Sequence, residues 1–232
     1  MKVYSYYFHT HYFYNTFMKT LLFISALCLP CLVASGQANS QSNIPIKAIP
    51  YSYTLLENPK EFKVLSDNAI VMTAGKETDL HNPANGNYYR HNAPKFLFTP
   101  DANFVFSARV KPSFENQYDG GAILLYSDSE NWAKVLLQYI DHKPVLGISV
   151  VKDQITDDAY FIPHGKDVFL RVTKAGKVFN FLTSPDGKDW TVIREFVYHK
   201  PELLKIGFYA QSPVGNSCQV EFSDITYSGT KE

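Results

Sequence analysis

In the stretch NFVFSARVK, residues 103–111, apolar side chains fall on every second position: Phe104, Phe106, Ala108 and Val110 share one parity, and Ser107, Arg109 and Lys111 share the other. Side chains leave an extended strand on alternate faces, so a period of two reads as a strand with one buried and one wet side. Similar runs, rich in Val, Ile, Phe, Tyr and Thr and punctuated by turn residues, recur almost to the end of the chain. They place strands over 62–65, 69–74, 95–99, 103–111, 120–127, 132–140, 144–151, 154–162, 167–174, 177–184, 189–198, 203–211 and 217–227. No window of helical length carries the three-and-four spacing of an amphipathic helix. So many strands in one open twisted sheet would leave apolar area in water, whereas two sheets packed face to face bury it. The expected fold is all-β, a two-sheet antiparallel β-sandwich.

The turns have their own chemistry. Residues 174–177 (KAGK) and 185–188 (PDGK) put Gly where a hairpin needs a positive φ. The corner 128–131 (DSEN) joins two apolar runs, and its oxygens could hold calcium. Asp, Ser and Asn are also what a turn prefers, and no metal site is assigned to it.

The N-terminus has a different pattern. Met18-Lys19 precedes the apolar run LLFISALCLPCLV and then the small residues Ala34-Ser35-Gly36. A basic residue, a short apolar run and small residues before a cut are the parts of a secretory signal peptide, and the run is short for a bilayer span. Residues 1–36 are therefore expected to be an upstream extension and a signal peptide, with translation starting at Met18 and cleavage after Gly36. Residues 37–48 form a polar linker and residues 49–232 one sandwich domain. The chain is expected to be secreted or periplasmic, without membrane insertion after cleavage. Cys28 and Cys31 lie in the signal, which leaves Cys218 alone and rules out an intramolecular disulfide. Setting aside Lys2 and Lys19 leaves 20 basic residues against 22 acidic ones, a charge near −2. Such a balance does not suit nucleic acid or an anionic membrane surface.

In residues 132–139, Trp132, Lys134, Leu136 and Gln138 share one face of a strand and Ala133, Val135, Leu137 and Tyr139 the other. A lysine and a glutamine beside a tryptophan are poor core material, so this face is expected to meet water or a ligand. Two segments carry a family resemblance: DGGAILLYSDSENWAKVLLQ (119–138) and IGFYAQSPVGNSCQVEFSDI (206–225). With Arg171 and the hairpin from Ser184 to Trp190, they resemble the domain-of-unknown-function family 1349, from about Tyr53 onward. That resemblance implies a jelly roll of the concanavalin A-like kind with a concave face, and no established reaction. Members of the family often carry glutamate where this chain has Gln138, so an acid or base at that position is absent here.

The laminarinase-type Glu-x-Asp-x-x-Glu strand motif does not occur. Glu221 and Asp224 differ in strand parity, and glycosidic hydrolysis needs two carboxylates across one bond. Gly-x-Ser-x-Gly, Walker, His-Glu-x-x-His and dinucleotide motifs are absent too, and no cofactor is implied. Aromatic rings that stack on sugar C–H faces, with planar polar groups that read hydroxyls, form a plausible carbohydrate site. The candidates are Trp132, Lys134, Gln138 and Arg171, with Tyr126 from the same hairpin and Gln211 at a strand end. Tyr89 and His91 join them from the loop segment DLHNPANGNYYRHN (79–92), which also holds His81, Tyr88 and Arg90. The polar concave face is expected to bind carbohydrate without catalysis. A glycoside hydrolase or lyase with carboxylates from separate strands stays open, as does a protein-interaction module.

Overall fold

The computed structural model describes residues 45–161 and 165–230. The expected signal peptide, and the linker up to residue 44, lie outside them. In chain order the strands are β1 (Tyr53–Leu56), β2 (Glu61–Ser66), β3 (Ala69–Gly75), β4 (Leu80–His81), β5 (Arg90–His91), β6 (Lys95–Phe98), β7 (Asn103–Pro112) and β8 (Gly120–Asp128). They continue as β9 (Asn131–Ile140), β10 (Lys143–Lys152), β11 (Ile155–Phe161), β12 (Val168–Ala175), β13 (Val178–Ser184), β14 (Thr191–Val197), β15 (Lys205–Gln211) and β16 (Ser217–Thr230). One seven-stranded sheet runs β1-β6-β15-β8-β9-β10-β11, the other β14-β13-β12-β7-β16-β3-β2, and β4 and β5 pair separately as a short ribbon. The two large sheets form an antiparallel jelly-roll sandwich, as the alternation requires.

The inner parity of both sheets fills the core. Phe104, Phe106, Ala108 and Val110 of β7 are buried, while Arg109 and Lys111 are exposed. Aromatic rings join the layers: Phe208 of β15 lies 5.1 Å from Phe106 and 4.3 Å from Phe222, centroid to centroid. Truncating a buried phenylalanine of this kind to alanine costs roughly 3–5 kcal/mol.

The turns follow their chemistry. Gly176 and Gly187 take φ of 57° and 76°. In the corner at 128–131, Asp128 Oδ1 accepts the Glu130 N–H at 2.8 Å and the Asn131 Nδ2 at 2.9 Å, and Oδ2 faces Lys200 Nζ at 3.3 Å. The acidic corner is a self-bonded turn. The strand expected to begin at 203 begins at Lys205, because Pro201–Leu203 form one 3-10 turn. The packed chain also begins before residue 49: Ile46 is 2% exposed within the core, and Lys47 pairs with Asp67.

Candidate functional site

The first sheet has an outer face, set by the parity opposite to the core. Register aligns Gln211, Gly120 and Gln138 in one row across β15, β8 and β9, and Ala122, Leu136, Gly147 and Tyr160 in the next. A third row holds Leu124, Lys134, Ser149 and Asp158. Two glycines hollow this floor. A Cβ at Gly120 would stand 2.7 Å from the Leu137 carbonyl oxygen, and one at Gly147 would stand 2.9 Å from Gln138 Nε2. The Gln138 amide therefore lies over Gly147, in space that a larger residue would take.

The β4–β5 ribbon crosses this face. Lys95 Nζ donates to the carbonyls of His91 at 3.1 Å and Ala93 at 2.8 Å, and Lys134 Nζ donates to the Leu80 carbonyl at 2.7 Å. Tyr209 Oη accepts the Leu80 N–H at 2.7 Å, and Thr156 Oγ1 donates to the Asn82 carbonyl. These anchors lie on β6, β9, β15 and β11, so the ribbon spans the sheet. Beneath it Leu80 and Ala93 seal a second apolar cluster with Leu97, Leu124, Trp132 and Tyr209.

Beside the ribbon lies a cleft of about 490 Å³. Its floor is Lys134, Leu136, Gln138, Ser149, Tyr160 and Gln211. Asp79, His81 and Tyr88 of the ribbon segment form one wall, and Tyr118, Ile140, Pro213 and Val214 the other. The buried polar groups are linked: Gln211 Oε1 faces Tyr209 Oη at 2.7 Å and Lys134 Nζ at 3.4 Å, while Gln211 Nε2 donates to the Tyr118 carbonyl at 2.7 Å. Asp79 Oδ1 accepts the Leu80 N–H at 2.8 Å and lies 3.2 Å from Tyr209 Oη. Burial pulls Lys134 below the usual lysine range, against Asp79 and Asp158, which favour its charge. Burial likewise lowers His81, which keeps its ring neutral at pH 7. Burial and then Asp158 push the Tyr160 phenol up to about 12. The cleft thus offers amides, hydroxyls and rings around one buried amine, with the Asp79 carboxylate in its wall.

Of the eight residues read from sequence, Lys134, Gln138 and Gln211 line the cleft. Trp132 does not: it is 1% exposed beneath the ribbon, so its face is a second core at that row and becomes the cleft floor only farther along the strand. Tyr126 packs against the same cluster and does not line the cleft. Arg171 belongs to β12 of the opposite sheet, where its guanidinium lies 3.6 Å from the Trp190 ring centroid. Its parity was legible, but parity does not say which sheet a strand joins. Tyr89 is 47% exposed outside the cleft, and His91 Nε2 is held by Asn82 Oδ1 at 2.7 Å. Their neighbours His81 and Tyr88 reach the cleft instead. Asp79, Tyr118, Ser149 and Tyr160 escaped the sequence reading. For Ser149 and Tyr160 the signal was strand parity carried across the register from Lys134 and Leu136.

A jelly-roll sandwich with a ribbon-walled cleft on one outer face is the class that fold and site define. The model for the family described as "Protein of unknown function (DUF1349)" matches residues 55–230, and the chain belongs to that family. Regulation of enolase protein 1 of Saccharomyces cerevisiae is 28% identical over 123 residues, which take in 52% of this chain and 62% of the yeast protein, less than two thirds of its length. A solved structure described as a functionally unknown protein from Saccharomyces cerevisiae matches with a TM-score of 0.71 and 21% identity, covering 82% of this chain and all of that one. The GH43 protein BlXynB from Bacillus licheniformis matches with a TM-score of 0.61 and 13% identity, over 75% of this chain and 36% of its own. At these identities the solved structures share the fold.

Proposed function

We propose that this protein is an exported β-sandwich that binds carbohydrate, without turning it over, in the cleft on the outer face of its first sheet. The observation that carries the reading is the make-up of the cleft. Three tyrosines, 88, 118 and 160, are 40%, 42% and 57% exposed around two buried planar amides, Gln138 and Gln211. Rings that cover C–H faces and amides that read hydroxyls are what sugar recognition requires. The fold shared with part of a GH43 protein agrees with a sugar-related role, although fold alone does not assign one. Export rests on the sequence of residues 18–36, and N-terminal sequencing of the protein recovered outside the cytoplasm should begin at Gln37.

A ligand at one hundred times its Kd stabilises the native state by about 2.7 kcal/mol. For a domain of this size that raises Tm by roughly 5–10 °C. A panel of oligosaccharides screened by thermal shift should contain such a ligand, and Gln138→Ala should abolish its effect. A panel without any shift sinks the reading.

Hydrolysis is the second reading, because two carboxylates, Asp79 in the cleft wall and Asp158 in the strand row of Lys134 and Ser149, lie near enough to act on both Lys134 and His81. Release of reducing ends from a polysaccharide, lost in Asp79→Asn or Asp158→Asn, would favour it over binding alone.

A further inference from the structure

Resting on the carbohydrate reading, we infer that the cleft takes the terminal residue of a glycan end-on, and does not clasp a stretch from the chain interior. The groove is closed at one end. Thr78 and Ser212 exchange both backbone hydrogen bonds at 3.2 Å, and Thr78 Oγ1 also accepts the Ser212 N–H at 3.1 Å, which ties the base of the ribbon to the end of β15. Ser212 Oγ donates in turn to Asp119 Oδ1 at 2.8 Å, where the chain enters β8. Pro213 and Val214 continue that barrier along the cleft. On the long side, the anchors of the ribbon reach from β6 through β9 to β11, so the ribbon walls the groove across the direction in which the strands run.

The other end differs. The sheet finishes at β11, and Tyr160 on that edge strand is 57% exposed. An interior segment of a polymer needs two exits from its groove, and a terminal residue needs one. The side chains are graded in the same sense. Lys134, Gln211 and Asp79, 4%, 3% and 9% exposed, gather at the closed end, and the open end presents a ring. Buried donors and acceptors there would read the hydroxyls of the last sugar, and Tyr160 would stack on the next one as the chain leaves.

The test is titration calorimetry with xylo-, cello- and malto-oligosaccharides of one to six residues, and with each parent polymer before and after endo-hydrolysis. End-on binding makes affinity level off by two or three residues. It also makes the amount of protein bound per gram of polymer rise with the number of chain ends. Tyr160→Ala, a change at an exposed edge, should weaken di- and trisaccharides roughly three- to tenfold more than it weakens the monosaccharide; an equal loss for all lengths overturns the end-on order of sugars. Binding that follows polymer mass, with no response to added ends and with affinity still climbing at six residues, overturns the end-on inference and leaves carbohydrate binding intact. No binding to any of the three series by protein with an intact melting transition overturns both.

Discussion

At the scale of single residues, the cleft wall and the buried layer under the ribbon each hold one that a fold chosen for stability alone would not select. Tyr118 sits at φ 66°, in the left-handed region where an L-residue with a Cβ is strained by roughly 1–2 kcal/mol. The strain aims its carbonyl at Gln211 and puts its ring, 42% exposed, on the cleft wall. Asparagine tolerates this conformation better, so Tyr118→Asn should stabilise the protein by about 1 kcal/mol in urea denaturation and weaken glycan binding in the same sample. A loss of stability would mean that the ring holds the fold. Lys95 is the second. It is buried beneath Ala93 and His91, and burial lowers its ammonium to about 8. The folded value lies below the unfolded one, so between about pH 8 and 10.5 the unfolded chain binds more protons and stability must rise with pH in that window. The size of the shift limits the gain to about 3 kcal/mol. Above pH 10 the buried phenols Tyr198 and Tyr209, both pushed upward by burial, act in the opposite sense, because the unfolded chain loses those protons first. Chemical denaturation from pH 7 to 11 should show a rise and then a fall, with a shallower rise in Lys95→Met.

At the scale of elements, alternation located strands well because a half-buried strand has no other way to satisfy water and core together. It also sorted side chains onto faces correctly, and Lys134, Leu136 and Gln138 do share one face over the cleft. It could not tell what covers a face. The β4–β5 ribbon has two residues in each strand, too few for any period, so the segment 79–92 read as a loop while it walls the cleft and buries Trp132. Arg171 failed for a related reason, since strand order is set by contacts far apart in sequence. The hollow in the floor comes from β8 and β10, and it gives a prediction at this scale. Gly147→Ala places a methyl 2.9 Å from Gln138 Nε2, the far end of a flexible side chain, and 3.5 Å from the Tyr160 ring. The fold should therefore lose less than about 1 kcal/mol, and alanine recovers part of that by restricting the unfolded chain. Glycan affinity should fall at least roughly fivefold, because a lost buried hydrogen bond to the ligand costs about 1–3 kcal/mol. Unchanged affinity would show that the Gln138 amide does not touch the ligand.

At the scale of the whole molecule, one continuous core joins the two large sheets, and the chain enters that core earlier than its polarity suggests. Ile46 and Ile49, 2% and 4% exposed, both belong to it, and the Ala48 N–H donates to the Asp67 carbonyl at 2.9 Å between them. A polar tether reads as ending where periodic strands begin, and two isolated isoleucines in an otherwise unpatterned segment carry no period. The packed core therefore includes Ile46 and Ile49, and truncation tests what they contribute. Removing a buried isoleucine side chain costs about 2–5 kcal/mol, and a domain has only about 5–15 kcal/mol in total. A protein that begins at residue 45 should melt within a degree or two of one that begins at Gln37. A protein that begins at residue 50 loses both side chains and the Ala48 hydrogen bond, and its Tm should fall by at least roughly 10 °C, or it should fail to fold. Ile46→Ala in the longer protein separates the contributions, with an expected loss of about 2–4 kcal/mol in urea. Equal melting of the two truncations would show that the core closes without residues 45–49.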